Sequence, residues 1–512
     1  MMRTARSLSM VRNTLLNYAG QAYAIVIGIL IQPFYLGHLG AEAYGLIGFF
    51  AVLQTWLLLL DVGLSPALVR QVAHGRGARG RNVSGEGQDQ ARLLRSFELI
   101  LLPLTAASTL AVFGGSGWIA GQWLNVQQLS PELVAQCISL MGLLVALRLY
   151  ATLYRSALQG QELHAYINGV NVFITTLRYF GGLLLVAHIS QDPLVFFQFQ
   201  VAVSLIEALL LGGKAYLWMD VRLLTRFCWD TVRPVLPFAL GMSLTSCLWI
   251  VLTQLDKVLL SNLLPLQQYG YFSLVALISG GILSLVNPLA QSLLPRMTML
   301  VAEGRHDDMQ QLYLKANRFV CVLLFPMVAV IAAHGHDLVL AWSGDAVAAS
   351  WCRPILVWYV LGAGLLAVAS FQFYLQYAHG QLRMHVWYSV VSTLVSVPLV
   401  IASAYLYGVV GVALCWFGLR LVSFLIWPLI VHRTFAPELH GTWLRDTLQI
   451  AALSAAGLLL SEPFYALLAR SGERLWLLAA LAACGLITLF LVGAGSAPAL
   501  LRLFKPSHKP SV

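Results

Sequence analysis

Gln32-Pro33-Phe34-Tyr35-Leu36-Gly37-His38-Leu39-Gly40-Ala41-Glu42-Ala43-Tyr44-Gly45-Leu46 joins the two apolar arms of a hairpin that runs from Asn13 to Arg70. Each arm is long enough to cross a bilayer, which takes about 20 residues of helix. Polar or helix-breaking residues interrupt both arms: Asn17, Gln21, Gln32 and Pro33 in the first, Asp61, Gly63 and Pro66 in the second. A similar hairpin returns as Leu255-Asp256-Lys257-Val258-Leu259-Leu260-Ser261, then Gln268-Tyr269-Gly270-Tyr271-Phe272-Ser273, running on to Asn287-Pro288 and Arg296. Setting Tyr44-Gly45 against Tyr269-Gly270 gives an offset of 225 residues. A second echo, Tyr154 to Gln161 against Tyr374 to Gln381, falls at 220. An even number of spans separates the copies, so the halves share one orientation and are related by an axis along the membrane normal.

Composition fixes the class. Hydrophobic residues make up 59% of the chain and charged ones only 10%, where soluble domains carry about 25% charged residues; mean hydropathy is +0.78. Runs such as 99–113 and 475–492 do not alternate in polarity, so the spans are helices and not barrel strands. About 14 are expected, near 13–36, 42–73, 93–113, 132–158, 165–187, 193–217, 232–255, 268–295, 313–333, 351–378, 385–407, 410–431, 446–468 and 474–495. The expected architecture is an all-α polytopic membrane protein: a six-helix lobe at 1–228, a pseudo-symmetric six-helix lobe at 229–444, and two further helices with a tail at 445–512.

The net charge of +10 reads as topology, with no nucleic acid implied. Arg3, Arg6 and Arg12, the arginines of 70–95, Lys214 to Arg233, Arg296 to Arg318 and the tail fall on one side of the alternating spans, and Arg470 with Arg474 on the other. Segments 114–131, 188–192 and 334–350 carry no Lys or Arg. The positive-inside rule then puts both termini in the cytoplasm. No cleavable signal peptide is evident and the first span is read as retained. The glycine-rich loop 75–91 lacks the Gly-Lys-Ser/Thr ending of a phosphate-binding loop, and Asn82-Val83-Ser84 lies on the wrong side for glycosylation. The seven cysteines are scattered, without metal-ligand spacing or a disulfide framework. No metal or cofactor site and no catalytic constellation emerges, so the chain is not expected to be an enzyme.

Ionisable groups in spans cost about 2.5–3.5 kcal/mol each near mid-membrane on insertion scales. Arg148, Thr152, Arg155 and Gln159 share one helix face; Gln372, Gln376, His379 and Arg383 repeat the register, and Asn13, Asn17 and Gln21 recur at intervals of four. Such stripes should face a water-filled interior, with Arg178 sharing it. A guanidinium suits phosphate because its planar fork donates paired hydrogen bonds and stays charged. Other readings stay open. Arg155 and Arg383, near helix ends, can simply snorkel. Asp61 caps a helix break or pairs with an arginine, and Asp256 with Lys257 is a gate, a structural pair or an interface anchor. Glu207 and Arg420, on the sixth helix of each lobe, read as peripheral.

Arg12-Asn13-Thr14-Leu15-Leu16-Asn17-Tyr18-Ala19-Gly20-Gln21, Leu36 to Leu46, Leu60-Asp61-Val62-Gly63-Leu64-Ser65-Pro66 and the Leu255–Ser261 segment with Tyr269-Gly270-Tyr271 resemble the polysaccharide transporter family. More narrowly they look like the O-antigen and capsule-unit flippases of the multidrug/oligosaccharidyl-lipid/polysaccharide exporter superfamily. The resemblance reaches to about residue 430. It implies a bacterial inner-membrane flippase that moves an undecaprenyl-pyrophosphate-linked oligosaccharide to the periplasmic leaflet by alternating access. The implied cavity is cationic, drawn from Arg148, Arg178, Arg155, Thr152, Gln21, Asn17, Gln372 and Gln376, with Asp61, Asp256 and Lys257 for coupling or gating. The implied partners are the lipid-linked substrate, membrane lipid, a polymerase, a chain-length regulator and a coupling H+ or Na+. A multidrug exporter of the same superfamily and a membrane O-antigen polymerase or ligase are the alternatives; a lipid II flippase is close in architecture, but the first span does not carry its signature. Arginines in the spans weigh against the first, and outer loops of about 20 residues or fewer against the second.

Overall fold

The structure is a computed structural model that describes residues 2–79, 86–222 and 225–504. Residues 80–85 of the 75–91 loop, Asn82-Val83-Ser84 among them, and the tail lysines lie outside the described residues, as does the side chain of Asn17. Seventeen α-helices follow one another among the described residues: α1 Met2–Leu39, α2 Ala41–Leu57, α3 Leu64–Arg79, α4 Glu86–Trp118, α5 Pro131–Gly160, α6 His164–Thr176, α7 Gly182–His188, α8 Pro193–Met219 and α9 Trp229–Val232. Then come α10 Leu236–Leu263, α11 Leu266–Ser284, α12 Asn287–Ala302, α13 His306–Ser343, α14 Ala346–Ala378, α15 Arg383–Phe435, α16 Leu439–Leu468 and α17 Arg474–Phe504.

This is a polytopic, all-helical membrane protein. Twelve stretches among the described residues are long and apolar enough to cross a bilayer. That number does not confirm the expected 14, and two segments account for the difference. The expected spans 385–407 and 410–431 lie in α15, a 53-residue stretch that breaks at Gly408 (φ 62°). Its arms lie side by side: Tyr388 stacks on Trp427 at 4.2 Å between centroids. The expected span 268–295 is two helices, α11 and α12, meeting at Leu285-Val286.

The chain forms two compact units, Met1–Gly270 and Tyr271–Val512. In the first, α3, α4, α5 and α8 bury a core that includes Leu68, Leu93, Phe97, Leu153 and Leu211. In the second, α13 packs on α14, α16 and α17, and it kinks at His334 (φ −114°, ψ 27°).

The second arm of the opening hairpin is broken where its sequence suggests. A short 3-10 turn, Leu58–Asp61, ends at Val62 (φ 47°) and Gly63 (φ 70°) before α3 begins. Glycine is required at 63 twice over: its φ is positive, and a Cβ there would stand 2.2 Å from the Ala239 carbonyl oxygen. The break between α11 and α12 sits at nearly the same point of the second hairpin.

Gly45 and Gly270 make the repeat geometric. A Cβ on Gly45 would stand 2.2 Å from the Leu266 carbonyl oxygen, and one on Gly270 would stand 2.3 Å from that of Ala41. Ala41 and Gly45 become Leu266 and Gly270 under the 225-residue offset, so the contact is reciprocal. That is the signature of a two-fold relation. The segment after α4 laces the two tips together. Glu42, 3% exposed, accepts from three successive backbone N–H groups, Gln127 at 2.5 Å, Gln128 at 2.7 Å and Leu129 at 2.9 Å. Trp123 Nε1 donates to Ser261 Oγ at 3.0 Å, and Asn262 Nδ2 donates to the Trp123 carbonyl at 2.8 Å.

Candidate functional site: an arginine cluster in the first unit

Helix α5 starts at a firm cap. Ser130 Oγ accepts from Leu133 N at 3.2 Å, and Pro131 takes the first turn, where its missing N–H costs nothing. The helix then runs for 30 residues, and its polar face carries Arg148, Thr152 and Arg155. Thr152 Oγ1 donates back to the Arg148 carbonyl at 2.8 Å, satisfying its own hydroxyl within the helix. Arg148 donates to Gln54 Oε1 of α2, and its guanidinium lies 4.9 Å from the centroid of the Phe50 ring.

Arg178 is set by a different device. Between α6 and α7 the chain widens into a π-helical turn, Leu177–Gly181, which loosens the regular hydrogen-bond ladder. Tyr35 Oη of α1 donates to the Tyr179 carbonyl at 2.8 Å and lies 3.3 Å from that of Arg178. Gln200 Nε2 of α8 reaches the Arg178 carbonyl at 3.4 Å. A Cβ at Gly182 would stand 2.5 Å from the Tyr35 hydroxyl, so the glycine makes room for it.

Glu207 of α8 joins the two arginines. Its Oε2 accepts from Arg178 Nη2 at 2.7 Å and its Oε1 accepts from Arg155 Nη2. The carboxylate side chain is 7% exposed, against 20% for Arg178 and 38% for Arg155. Arg148 is within electrostatic range of both Arg178 and Glu207. Two guanidinium groups thus share one carboxylate with a third close by, which leaves two positive charges in excess. The residue read as peripheral is the counter-ion of the expected site. Its signal was available: a lone acid in the middle of an apolar 27-residue helix must find a base.

The remaining candidates fall elsewhere. Gln21 is half-buried on α1. Asp61 caps the break before α3, with Oδ1 accepting from Ser65 Oγ at 2.6 Å and Oδ2 from Ser65 N at 3.2 Å. Lys257 Nζ sits 3.4 Å from Asp256 Oδ1 and donates to the Thr253 carbonyl at 2.5 Å. In the second unit Gln372 and Gln376 are both 0% exposed. Gln372 Nε2 donates to Tyr313 Oη at 3.1 Å, and Gln376 Nε2 donates to the Gln372 carbonyl at 3.0 Å. Arg420 lies 5.3 Å from the centroid of the Trp416 ring. Arg318, grouped with the loop charges by sequence, is buried within α13 and paired with Asp446 of α16.

Comparison with known proteins agrees with this architecture. The model of the polysaccharide biosynthesis protein family matches residues 10–301. No curated protein matches the chain in sequence. Among solved structures, the lipid II flippase MurJ in an inward closed conformation is similar at a TM-score of 0.66 and 13% identity, over 96% of this chain and all of that one. An inward-facing multidrug resistance MATE family transporter of the MOP superfamily gives 0.64 and 14% identity, over 80% of this chain and 95% of its own. A MOP superfamily transporter from Pyrococcus furiosus, described as having a binding pocket of reversed polarity, gives 0.56 and 14%, over 82% and 95%. At these identities the likeness is one of fold.

Proposed function

This chain belongs to the polysaccharide biosynthesis protein family, and from that premise we propose that it is a flippase, and not an enzyme, for an undecaprenyl-pyrophosphate-linked oligosaccharide. The cargo is an O-antigen, capsule or exopolysaccharide repeat unit, carried from the cytoplasmic to the periplasmic leaflet of the bacterial inner membrane. Both termini are cytoplasmic, and the lobes 1–228 and 229–444 alternate access, with 445–512 appended. The observation that carries the reading is the charge of the cluster. Arg148, Arg155 and Arg178 against Glu207 leave an excess of two positive charges, and a diphosphate diester presents two ionised oxygens. A cationic drug would meet repulsion there. The isoprenoid tail stays in the bilayer while the sugar and diphosphate cross. The tightly packed hairpin tips at Gly45 and Gly270 supply a closure that must part for release. Asp61 is the coupling carboxylate for H+ or Na+, and a polymerase and chain-length regulator receive the product.

The test is export. Arg148→Ala and Arg178→Ala are expected to abolish surface polysaccharide and leave lipid-linked units in the cytoplasmic leaflet, with membrane levels of the protein unchanged. Normal surface polysaccharide in both variants would sink the assignment.

A further inference from the structure

Glu207 is an unexpected resident for a site that is to hold an anion. Its two carboxylate oxygens occupy Nη donors of Arg155 and Arg178, the groups that two phosphate oxygens would use. The carboxylate is not what holds the main chain at Arg178. Its backbone is fixed by Tyr35 and Gln200 at the π-helical turn, whether or not the carboxylate is there. The approach is also one-sided: Glu207 is 7% exposed, while the arginines it touches are 20% and 38% exposed. The Nε atoms of Arg148, Arg155 and Arg178 are buried and carry no hydrogen bond, so the carboxylate does not satisfy the whole cluster.

We propose that Glu207 is a built-in stand-in for the substrate's diphosphate: it occupies Arg155 and Arg178 while the site is empty, yields them to the incoming anion, and reclaims them to expel it. The inference rests on the flippase reading above. Its physical basis is that bare guanidinium groups in a low-dielectric interior are costly. Exchanging one anion for another keeps Arg155 and Arg178 paired with a negative group at every stage. The exchange also subtracts the carboxylate's own interaction from the affinity, and a transported species has to be bound loosely enough to leave.

Binding to the full chain in lipid nanodiscs tests it, with farnesyl diphosphate as probe, farnesol as the uncharged control and tryptophan fluorescence as readout. Removing the competing charge in Glu207→Gln should tighten farnesyl diphosphate binding roughly tenfold, which corresponds to about 1.4 kcal/mol. In a reconstituted flipping assay the same variant should show a lower KM together with a lower kcat, because release loses its displacing group. Should Glu207→Gln fold poorly, the pair Arg155→Gln with Glu207→Gln keeps the excess of two positive charges. Arg155→Gln alone should bind more weakly than the native chain, and adding Glu207→Gln should restore the affinity. Unchanged or weaker binding by Glu207→Gln, or no restoration in the pair, overturns the stand-in role. If the native chain prefers farnesyl diphosphate and Arg178→Gln loses that preference, the flippase site survives such a failure. A native chain that does not distinguish farnesyl diphosphate from farnesol removes the site and the inference together.

Discussion

Two buried groupings of arginine and carboxylate, one in each unit, use the same chemistry for different ends. In the second unit Arg318 of α13 meets Asp446 of α16 one for one, with side chains 8% and 6% exposed. Its neighbours close the set, as Asn317 Nδ2 donates to Thr447 Oγ1 at 3.3 Å between the same two helices. In the first unit Glu207 faces Arg155 and Arg178, with Arg148 nearby, and the arginines remain partly open. A balanced, closed pair has no remaining capacity for a ligand and ties helices together. An unbalanced, open one retains charge that only something from outside can neutralise. Stoichiometry and exposure, more than the presence of charge in a span, separate the structural arginine from the functional one.

The largest expected effect breaks the closed pair. Arg318→Ala leaves Asp446 charged and buried without its partner, which typically costs about 3–5 kcal/mol. The thermal midpoint of the purified protein should fall sharply, and export should fail along with the fold. Arg178→Ala is the contrasting case, because Glu207 keeps Arg155 and no buried charge is stranded. It should lose export with little change in midpoint. If Arg178→Ala destabilises the protein as much as Arg318→Ala does, the distinction between the groupings is wrong.

The hairpin tips belong with the closed set, by packing instead of charge. Gly45→Ala and Gly270→Ala each place a methyl carbon 2.2–2.3 Å from a carbonyl oxygen of the other hairpin. Backbone must shift to admit it, at a cost of about 1–3 kcal/mol typical of overpacking. Reciprocal geometry requires the two variants to lose similar stability. Gly213→Ala, in the interior of α8 with nothing within 4 Å of the added carbon, should instead stabilise the helix by about 0.5–1 kcal/mol. Calorimetry of the three variants decides it, and a large difference between Gly45→Ala and Gly270→Ala would contradict the two-fold relation.

How much of this was legible in the sequence follows from the range of the interactions. The membrane class, the helical spans and the broken second arm are local properties of hydropathy, glycine and proline, and the repeat at offset 225 was visible in Tyr44-Gly45 and Tyr269-Gly270. Why those positions are glycine was not visible, because the atoms that exclude a side chain come from the opposite hairpin. The face of Arg148 and Arg155 follows from helical period alone, yet Glu207 reaches it from α8 and Arg178 from a π-helical turn whose five residues, Leu177–Gly181, carry no distinctive pattern. Period also aligned Gln372 and Gln376 into a polar stripe. It could not tell that packing would leave both at 0% exposure, with Gln372 bonded to Tyr313.

Glu42 gives the finest division between the two kinds of buried charge. Like Glu207 it is a carboxylate almost out of contact with solvent, 3% exposed, but its partners are the backbone N–H groups of Gln127, Gln128 and Leu129. Three successive N–H groups pointing into one concavity form an anion-binding nest, and this one is filled by the chain's own side chain. Glu42→Gln keeps the shape and removes the charge. The amide oxygen can still accept, whereas its nitrogen meets a donor where the carboxylate offered an acceptor. The expected loss is about 1–3 kcal/mol, with faster amide hydrogen exchange confined to residues 125–130 and the Ser261–Leu266 segment they lace to. Diphosphate binding should not change, since Glu42 neutralises backbone dipoles and no arginine depends on it. A change in diphosphate affinity in Glu42→Gln would mean that the tips and the arginine cluster are coupled, and that closed and open charges do not act separately in this fold.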